Sequence, residues 1–376
     1  MSKVDVLVVD DSALMRKMIS ELIGSHPFIN PKDTAINGKV ALNKLKKDHN
    51  YDVILLDIEM PEMDGLQFLE EFSKLNLDIP VIVVSSFAKR GAEITMKALS
   101  LGAKDFVTKP SGPISLDIEK VRNEIIEKVL VWGLNRKKVR EPLPNVQIAE
   151  NLKLVEERPV EFISPPIEEV VLTKRIRPKV IGIGISTGGP PAIRKMLSQI
   201  GNDFPVGIVI AQHMPENFTA EFAKSLASSF PHLDIREARD YDAVVPGRVL
   251  IAKGGKHITV HEVEGKVFVK IVEDDSYSFR PSADLLFDSI ATNIGKDAIG
   301  IVMTGMGSDG AKGLKRLHDT GAITIAQDEK SSTIFGMPKS AIKAAAVDFV
   351  WSLDEMVPNL YTLLAALGFE PRTQGL

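Results

Sequence analysis

The sequence has no cysteine among its 376 residues. Disulfides, thiolate zinc sites and cysteine nucleophiles are excluded together, in agreement with a reducing compartment, and covalent catalysis is left to serine, threonine, lysine or a carboxylate. No apolar run approaches the ~20 residues that a membrane helix needs, so no membrane insertion is expected. The opening MSKVDVLVVDD runs straight into a strand and does not read as a signal peptide, so a cytoplasmic location is expected. Basic excess is missing too. A net charge of −4 argues against a nucleic-acid partner, whose phosphates demand a basic face.

What is present is ordinary for a globular protein, 44% hydrophobic and 26% charged, at a length that suits two domains of roughly 100–200 residues each. Up to about Lys109, short β-branched runs alternate with segments of helical period, the pattern of repeated βα units and a parallel sheet. Strands are predicted at Val4–Val9, Lys32–Ile36 (the weakest), Val53–Leu56, Val81–Val84 and Asp105–Thr108. A helix is predicted over Ser12–Ile23, with Leu14, Met18, Ile19 and Leu22 at helical spacing. In such sheets chemistry gathers at the carboxyl ends of the strands. Those ends carry Asp10–Asp11, Asp57, Ser85–Ser86 and Lys109–Pro110. Three carboxylates converging on one crevice repel one another unless a cation lies between them, and oxygen donors suit Mg²⁺. Asp10 or Asp11 has a plainer use as the cap of the helix at Ser12. Asp57, at the end of an apolar strand, has none. A lysine and a hydroxyl beside it complete a site for a phosphoryl group with Asp57 as acceptor.

With Asp10–Asp11, "LLDIEMPEMDG" around Asp57, Ser85 and "FVTKP" ending in Lys109–Pro110, residues 1–125 resemble the receiver domain of two-component response regulators, a doubly wound, flavodoxin-like parallel sheet. The resemblance implies that Asp57 accepts the phosphoryl group from a histidine kinase and that Asp10 and Asp11 help it to hold Mg²⁺. It implies also that Lys109 pairs with the phosphate, and that Ser85, with Ser86 one register step away, is the switch hydroxyl. The Lys109–Pro110 bond is expected cis by the same analogy. Beyond it, Ser115–Arg136 has helical spacing, and residues 126–177 are assigned to the end of that helix and a linker. Glu141–Pro178 is rich in proline and charge with no sustained period, the composition of an extended, solvated connection. Its basic clusters RKKVR and TKRIRPK lack a helix-turn-helix pattern or interleaved aromatics, and are read as solvated linker.

From Lys179 the βα alternation resumes, predicting a second, mostly parallel α/β domain. Its expected strands include Val180–Ile185, Val206–Ala211, Ala298–Met303 and Ile323–Ala326, with a β-rich stretch through Val272 and helical segments to the end. The first strand runs into IGIGISTGGPPAI. As a dinucleotide fingerprint this fails, since after Gly182 and Gly184 the third required position is Thr187; as Gly-x-Ser-x-Gly it fits, with Gly184, Ser186 and Gly188. The next strand ends in Gln212–His213, and Ala298–Met303 leads into a glycine-rich loop containing Asp309. Serine, histidine and aspartate at one sheet edge are the parts of a nucleophilic triad. Taken singly, each has a bland use: Ser186 as a helix cap, His213 as a structural histidine, Asp309 as a turn residue. Their shared placement favours chemistry. His257, His261 and His318 rank lower, in a β-rich stretch and near a helix end. Backbone N–H groups in the Gly305–Gly310 loop offer an oxyanion hole. The chain order Ser, His, Asp differs from the Ser, acid, His of α/β-hydrolases.

That order, with "GISTGGPPAI", "IAQHMP", "FRPSADLLF", "MTGMGSDGAKGL" and "FGMP", resembles the catalytic domain of the protein-glutamate methylesterases of bacterial chemotaxis over about residues 178–370. The resemblance implies Ser186 as nucleophile, His213 as general base and acid, Asp309 as its orienting partner, the Met306 amide at the oxyanion, and Thr187 against the substrate. The implied reaction hydrolyses glutamyl methyl esters on chemoreceptor cytoplasmic domains under control of phosphorylation, releasing methanol, with deamidation of receptor glutamines beside it. It needs no cofactor of its own. The competing reading is a response regulator whose output domain only binds.

Overall fold

The structure, a computed structural model, describes residues 3–86, 88–109, 118–140 and 162–369. The expected cis bond at Pro110 and most of the expected linker lie outside the described residues. The chain divides into two compact units, residues 1–156 and 157–376.

The first unit runs β1 (Val4–Val9), α1 (Ala13–Gly24), β2 (Ile29–Ala35), α2 (Gly38–Lys47), β3 (Val53–Asp57), α3 (Gly65–Ser73), β4 (Val81–Ser85), α4 (Lys89–Ser100), β5 (Asp105–Thr108) and α5 (Ile118–Arg140). Its sheet has the order β2-β1-β3-β4-β5 with every pairing parallel, the doubly wound arrangement whose crevice lies beside the carboxyl ends of β1 and β3. Val4, Val6, Val8, Val53, Leu55, Ile82 and Val84 pack with Ile19 and Ile23 of α1 and Ile125 and Val129 of α5. Each such aliphatic side chain, fully buried, contributes about 1.5–3 kcal/mol. Two expectations need correction. Leu14 is 66% exposed, because α1 buries Ile19 and Ile23, and at about 100° per residue Leu14 points some 140° or more away from both. Strand β2 begins three residues before the expected Lys32. It is an edge strand buried mainly at Ile29 and Ala35, so its interior carries little alternation for a sequence reading to find.

The second unit runs α6 (Ile167–Lys174), β6 (Val180–Ile185), α7 (Gly189–Leu197), β7 (Gly207–Gln212), α8 (Phe218–Ser229), β8 (Asp234–Glu237), β9 (Arg248–Ile251), β10 (His257–Val263) and β11 (Lys266–Val272). It continues through α9 (Ala283–Asn293), β12 (Ala298–Val302), α10 (Ala311–Asp319), β13 (Ile323–Gln327), α11 (Met337–Lys343), β14 (Phe349–Trp351) and α12 (Met356–Ala366). Seven strands form a parallel sheet ordered β14-β13-β12-β6-β7-β9-β8, while β10 and β11 make a separate antiparallel hairpin. From β6 the chain adds strands on one side and then, beginning with β12, on the other. The carboxyl ends of β7, β6 and β12 are therefore the switch point where such sheets open a crevice.

Part of the expected linker is ordered structure. Helix α6 buries Val170, Lys174 Nζ pairs with Asp348 at 2.6 Å, and the Ser164 hydroxyl bridges the Val350 carbonyl and N–H. One buried side chain in eight residues leaves no period to read, although Pro165–Pro166, Glu168–Glu169 in the first turn and Lys174 in the last suit a short helix. Strand β14 lies where only helical segments were expected; three residues are too few for an alternation.

Candidate active sites

In the first unit, β1 delivers Asp10 and Asp11, β3 ends at Asp57, β4 at Ser85, and Lys109 follows β5. The Asp10, Asp11 and Asp57 carboxylates each bring an oxygen within 4.8 Å of the others, an all-oxygen donor set of the kind that hard divalent cations take. Asp10 does not cap α1. Ser12 does, accepting from the Met15 N–H, while Asp10 accepts from the Ser12 N–H and keeps its other oxygen 3.0 Å from Lys109 Nζ. Lys109 also lies 2.7 Å from Asp57 Oδ2. Burial pushes the Asp57 carboxyl above the ordinary carboxylate range against the pull of Lys109. Burial opposes the Lys109 charge as well, but its pairing with Asp57 and Asp10 wins and holds its pKa above the usual lysine value. Asp57, Ser85, Ser86, Gly91 and Lys109 line one pocket. The buried Ser85 hydroxyl donates to the Gly91 carbonyl at 3.1 Å.

In the second unit, Ser186 follows β6, His213 follows β7, and Asp309 lies in the loop after β12. The structure brings all three together: His213 Nδ1 is 3.1 Å from Ser186 Oγ, and His213 Nε2 is 2.7 Å from Asp309 Oδ2. A carboxylate can only accept, so Nε2 carries the proton and Nδ1 presents a lone pair to the serine hydroxyl. This is the reverse of the serine-protease arrangement, where Nε2 faces the serine. Gly188, at φ 76°, makes the turn that carries the chain from Ser186, just past the end of the strand, into the first turn of α7. Gly305 packs directly on the turn that carries Ser186, for a Cβ there would lie 2.8 Å from Ser186 Cβ. Ser186 N–H donates to the Thr304 carbonyl, and the Thr304 hydroxyl donates to the Thr187 carbonyl at 3.0 Å. Met306, next along this loop, is 48% exposed, and its N–H has no acceptor among the described residues.

Three partners of the site were not found by reading the sequence for chemistry. Asp309 sits at the N-terminus of α9, accepting from the Ala283 N–H (2.7 Å) and the Asp284 N–H (3.1 Å) as well as the Ser282 hydroxyl (2.9 Å). Burial opposes its charge, yet the His213 N–H and these backbone donors hold its carboxyl below the usual range. Phe279, half exposed, stacks on the His213 ring, centroids 4.4 Å apart and planes within 7°. Gln212 ties the backbones of Ser186 and His213 together. Ser282 before an apolar run is a readable helix cap, and it accepts from the Leu285 N–H; nothing in a sequence says that the cap would also face Asp309. His257 is wholly buried one step out, accepting from the Ser282 N–H and donating to the Asp274 carbonyl. His261 bonds Thr259, and His318 lies 3.3 Å from Asp348.

Fold and sites define a response regulator whose second unit is an α/β domain of hydrolase type. Residues 6–119 match the response regulator receiver domain family and residues 181–360 the CheB methylesterase family. A protein-glutamate methylesterase/protein-glutamine glutaminase of Treponema denticola is 42% identical over 362 residues, covering 95% of this chain and 97% of that one. A protein of the same designation from Koribacter versatilis is 43% identical over 96% of each chain. The crystal structure of the Thermotoga maritima CheB methylesterase catalytic domain, 35% identical, aligns over 50% of this chain and all of that one with a TM-score of 0.48. The chain belongs to the protein-glutamate methylesterase/protein-glutamine glutaminase family. Among the described residues no helix is long and apolar enough to cross a membrane.

Proposed function

We propose that this chain is a phosphorylation-controlled hydrolase of bacterial chemotaxis, acting in the cytoplasm. Its substrates are glutamyl methyl esters, and beside them glutamines, on chemoreceptor cytoplasmic domains. Residues 1–125 serve as receiver, 126–177 as connection and 178–370 as catalytic domain. The observation that carries the reading is the unbroken relay from Ser186 through His213 to Asp309, at 3.1 and 2.7 Å. Ser186 Oγ attacks the ester carbonyl while His213 Nδ1 takes its proton, and Asp309 stabilises the imidazolium through Nε2–H. The Met306 N–H receives the oxyanion, and Thr187 borders the substrate. Collapse expels the alkoxide, which leaves as methanol with the proton from His213; with a glutamine substrate the leaving group is ammonia. Water, deprotonated by His213, then cleaves the acyl-serine and frees a glutamate carboxylate.

In the receiver, Asp57 takes the phosphoryl group from the phosphohistidine of a partner kinase. Asp10, Asp11 and Asp57 would hold Mg²⁺, which when bound supplies the positive charge that lets a phosphoryl group approach three carboxylates. Lys109 pairs with the acquired phosphate, and Ser85 donates to it.

The test is methanol release from methylated receptor membranes. Ser186→Ala is expected to abolish it while leaving phosphorylation intact. Substantial release by that variant overturns the assignment, and no release by the phosphorylated wild-type chain would favour a domain that only binds.

A further inference from the structure

Strand β7 ends at Gln212, paired across the ladder with Ile185 of β6, and its side chain is buried. Nε2 donates to the Ser186 carbonyl at 3.1 Å and to the His213 carbonyl at 3.0 Å. An amide nitrogen has two hydrogens, and both are committed. A single rigid, planar group therefore spans the two main chains that carry the reacting Oγ and Nδ1.

The other end of the amide shows that this is more than packing. Oε1 is buried with no hydrogen-bond partner among the described residues, a feature that folded proteins rarely keep without a use. Turning the amide over would set Oε1 against two carbonyl oxygens, so its orientation is determined by the two bonds it donates. Oε1 lies over Gly189, where any Cβ would collide with it. Gly189 is helical, in the first turn of α7. Its lack of a side chain serves the amide above it, not the turn, which Gly188 makes. A leucine or methionine at 212 would fill similar space and bury no lone oxygen.

The same device recurs under the neighbouring loop. Both β7 and β13 end in Ile-Ala-Gln, at Ile210–Gln212 and Ile325–Gln327. Gln327, wholly buried, accepts from the Thr304 N–H at 2.9 Å and donates to the Ser331 carbonyl at 2.8 Å. It braces the start of the loop that continues to Met306 and Asp309.

We propose that Gln212 is a positioning residue of the hydrolytic site, its amide clamping the Ser186 and His213 carbonyls and so setting the separation between nucleophile and base. The proposal rests on the reading of Ser186 as nucleophile and His213 as base. A misplacement on the order of 1 Å in such a pair costs about 100-fold in rate.

The experiment compares full-length wild type, Gln212→Met, Gln212→Glu and Gly189→Ala, each phosphorylated with a small phosphodonor and Mg²⁺. Methanol release from methylated receptor membranes gives kcat and KM, the rate at which an alkyl fluorophosphonate labels Ser186 reads the nucleophile without the receptor, and thermal midpoints report folding. Gln212→Met loses both donors, Gln212→Glu sets a carboxylate against two carbonyls, and Gly189→Ala displaces the amide while leaving it in the sequence. The expected signature is a fall of about 100-fold in kcat and in labelling rate with KM unchanged. A folded Gln212→Met chain with wild-type kcat and labelling rate, or a loss confined to KM, overturns the proposal. Where that variant does not fold, wild-type kcat and labelling in Gly189→Ala overturn it instead. Methanol release by Ser186→Ala is a separate outcome, which removes the underlying reading and not the clamp alone.

Discussion

Asp309→Asn changes one atom and removes one charge, and the site's geometry allows its effect to be worked out. Asp309 Oδ2 is 2.7 Å from His213 Nε2. Between unit charges at that separation, through an effective dielectric of about 20, the attraction is about 6 kcal/mol. The imidazolium charge is shared between two nitrogens, so about half of this, ~3 kcal/mol, is at stake in the transition state, or a 10²–10³-fold fall in kcat at roughly 1.4 kcal/mol per decade. The amide faces a further conflict. Four donors now meet two carboxylate oxygens: His213 Nε2–H and Ala283 N–H at one, the Ser282 hydroxyl and Asp284 N–H at the other. An NH₂ turned toward α9 meets the Asp284 N–H head on. Turned toward the imidazole, it makes Nε2 an acceptor, moves the ring proton to Nδ1 and removes the base from Ser186. Either orientation deepens the loss. The measurement is kcat for methanol release by phosphorylated wild type and variant at neutral pH, with the thermal midpoint as the control for folding of the second unit. A variant within tenfold of wild type would show that the carboxylate's charge contributes little to catalysis, and the relay would have to be abandoned.

Asp57→Asn, or chelation of divalent cations, is expected to stop phosphate incorporation from kinase or small phosphodonors while fluorophosphonate labelling of Ser186 continues; phosphate stably carried on Ser85 would contradict the receiver assignment. Gly305→Ala sets a methyl against Ser186 Cβ and Met337 Sδ; overpacking of this kind costs about 1–3 kcal/mol, so a lowered thermal midpoint together with reduced methanol release is expected, and an unchanged midpoint refutes the close packing. Acid should destabilise the second unit through Asp309 and Asp348. Burial opposes both charges, but His213 and backbone N–H groups hold Asp309, and His318 and Lys174 hold Asp348, below the usual carboxylate range. A depressed folded pKa gives stability that is complete above the unfolded value, near 4, and is lost as the pH falls through the folded value. Urea midpoints should therefore drop as the pH is lowered below about 4, and a midpoint that stays flat on acidification would count against these pairings.

Much of the site was legible because strand ends are legible. Val4–Val9 and Val53–Leu56 are β-branched, largely apolar runs that stop at acids, and Val180–Ile185 stops at a serine flanked by glycines, so the side chains at the sheet's carboxyl edge could be named from the sequence. Harder to read was what meets those side chains from elsewhere. Phe279 reaches His213 from 66 positions away, and the α9 N-terminus reaches Asp309 from another connection, so neither contact has a local pattern. Helix α6 and strand β14 escaped for a different reason, since eight and three residues are each too few for a periodic pattern to stand out. Leu14 shows the limit of periodicity itself: the spacing was helical, but it did not say which face the sheet would cover.

The position of the proposed catalytic side chains on the sheet bears on how the domain comes into being. Ser186 and His213 are 27 positions apart on adjacent strands joined by one helix, whereas Asp309 is 96 positions beyond His213 and enters when β12 docks on the opposite side of β6. Contacts near in sequence close at little entropic cost, and distant ones wait for the chain between them to be organised. A growing or partly unfolded chain can therefore pair serine with histidine while the imidazole still lacks its carboxylate. On the proposed assignment, hydrolysis would require β12 to be docked beside β6, so activity would report whether β6 has gained a neighbour on each side.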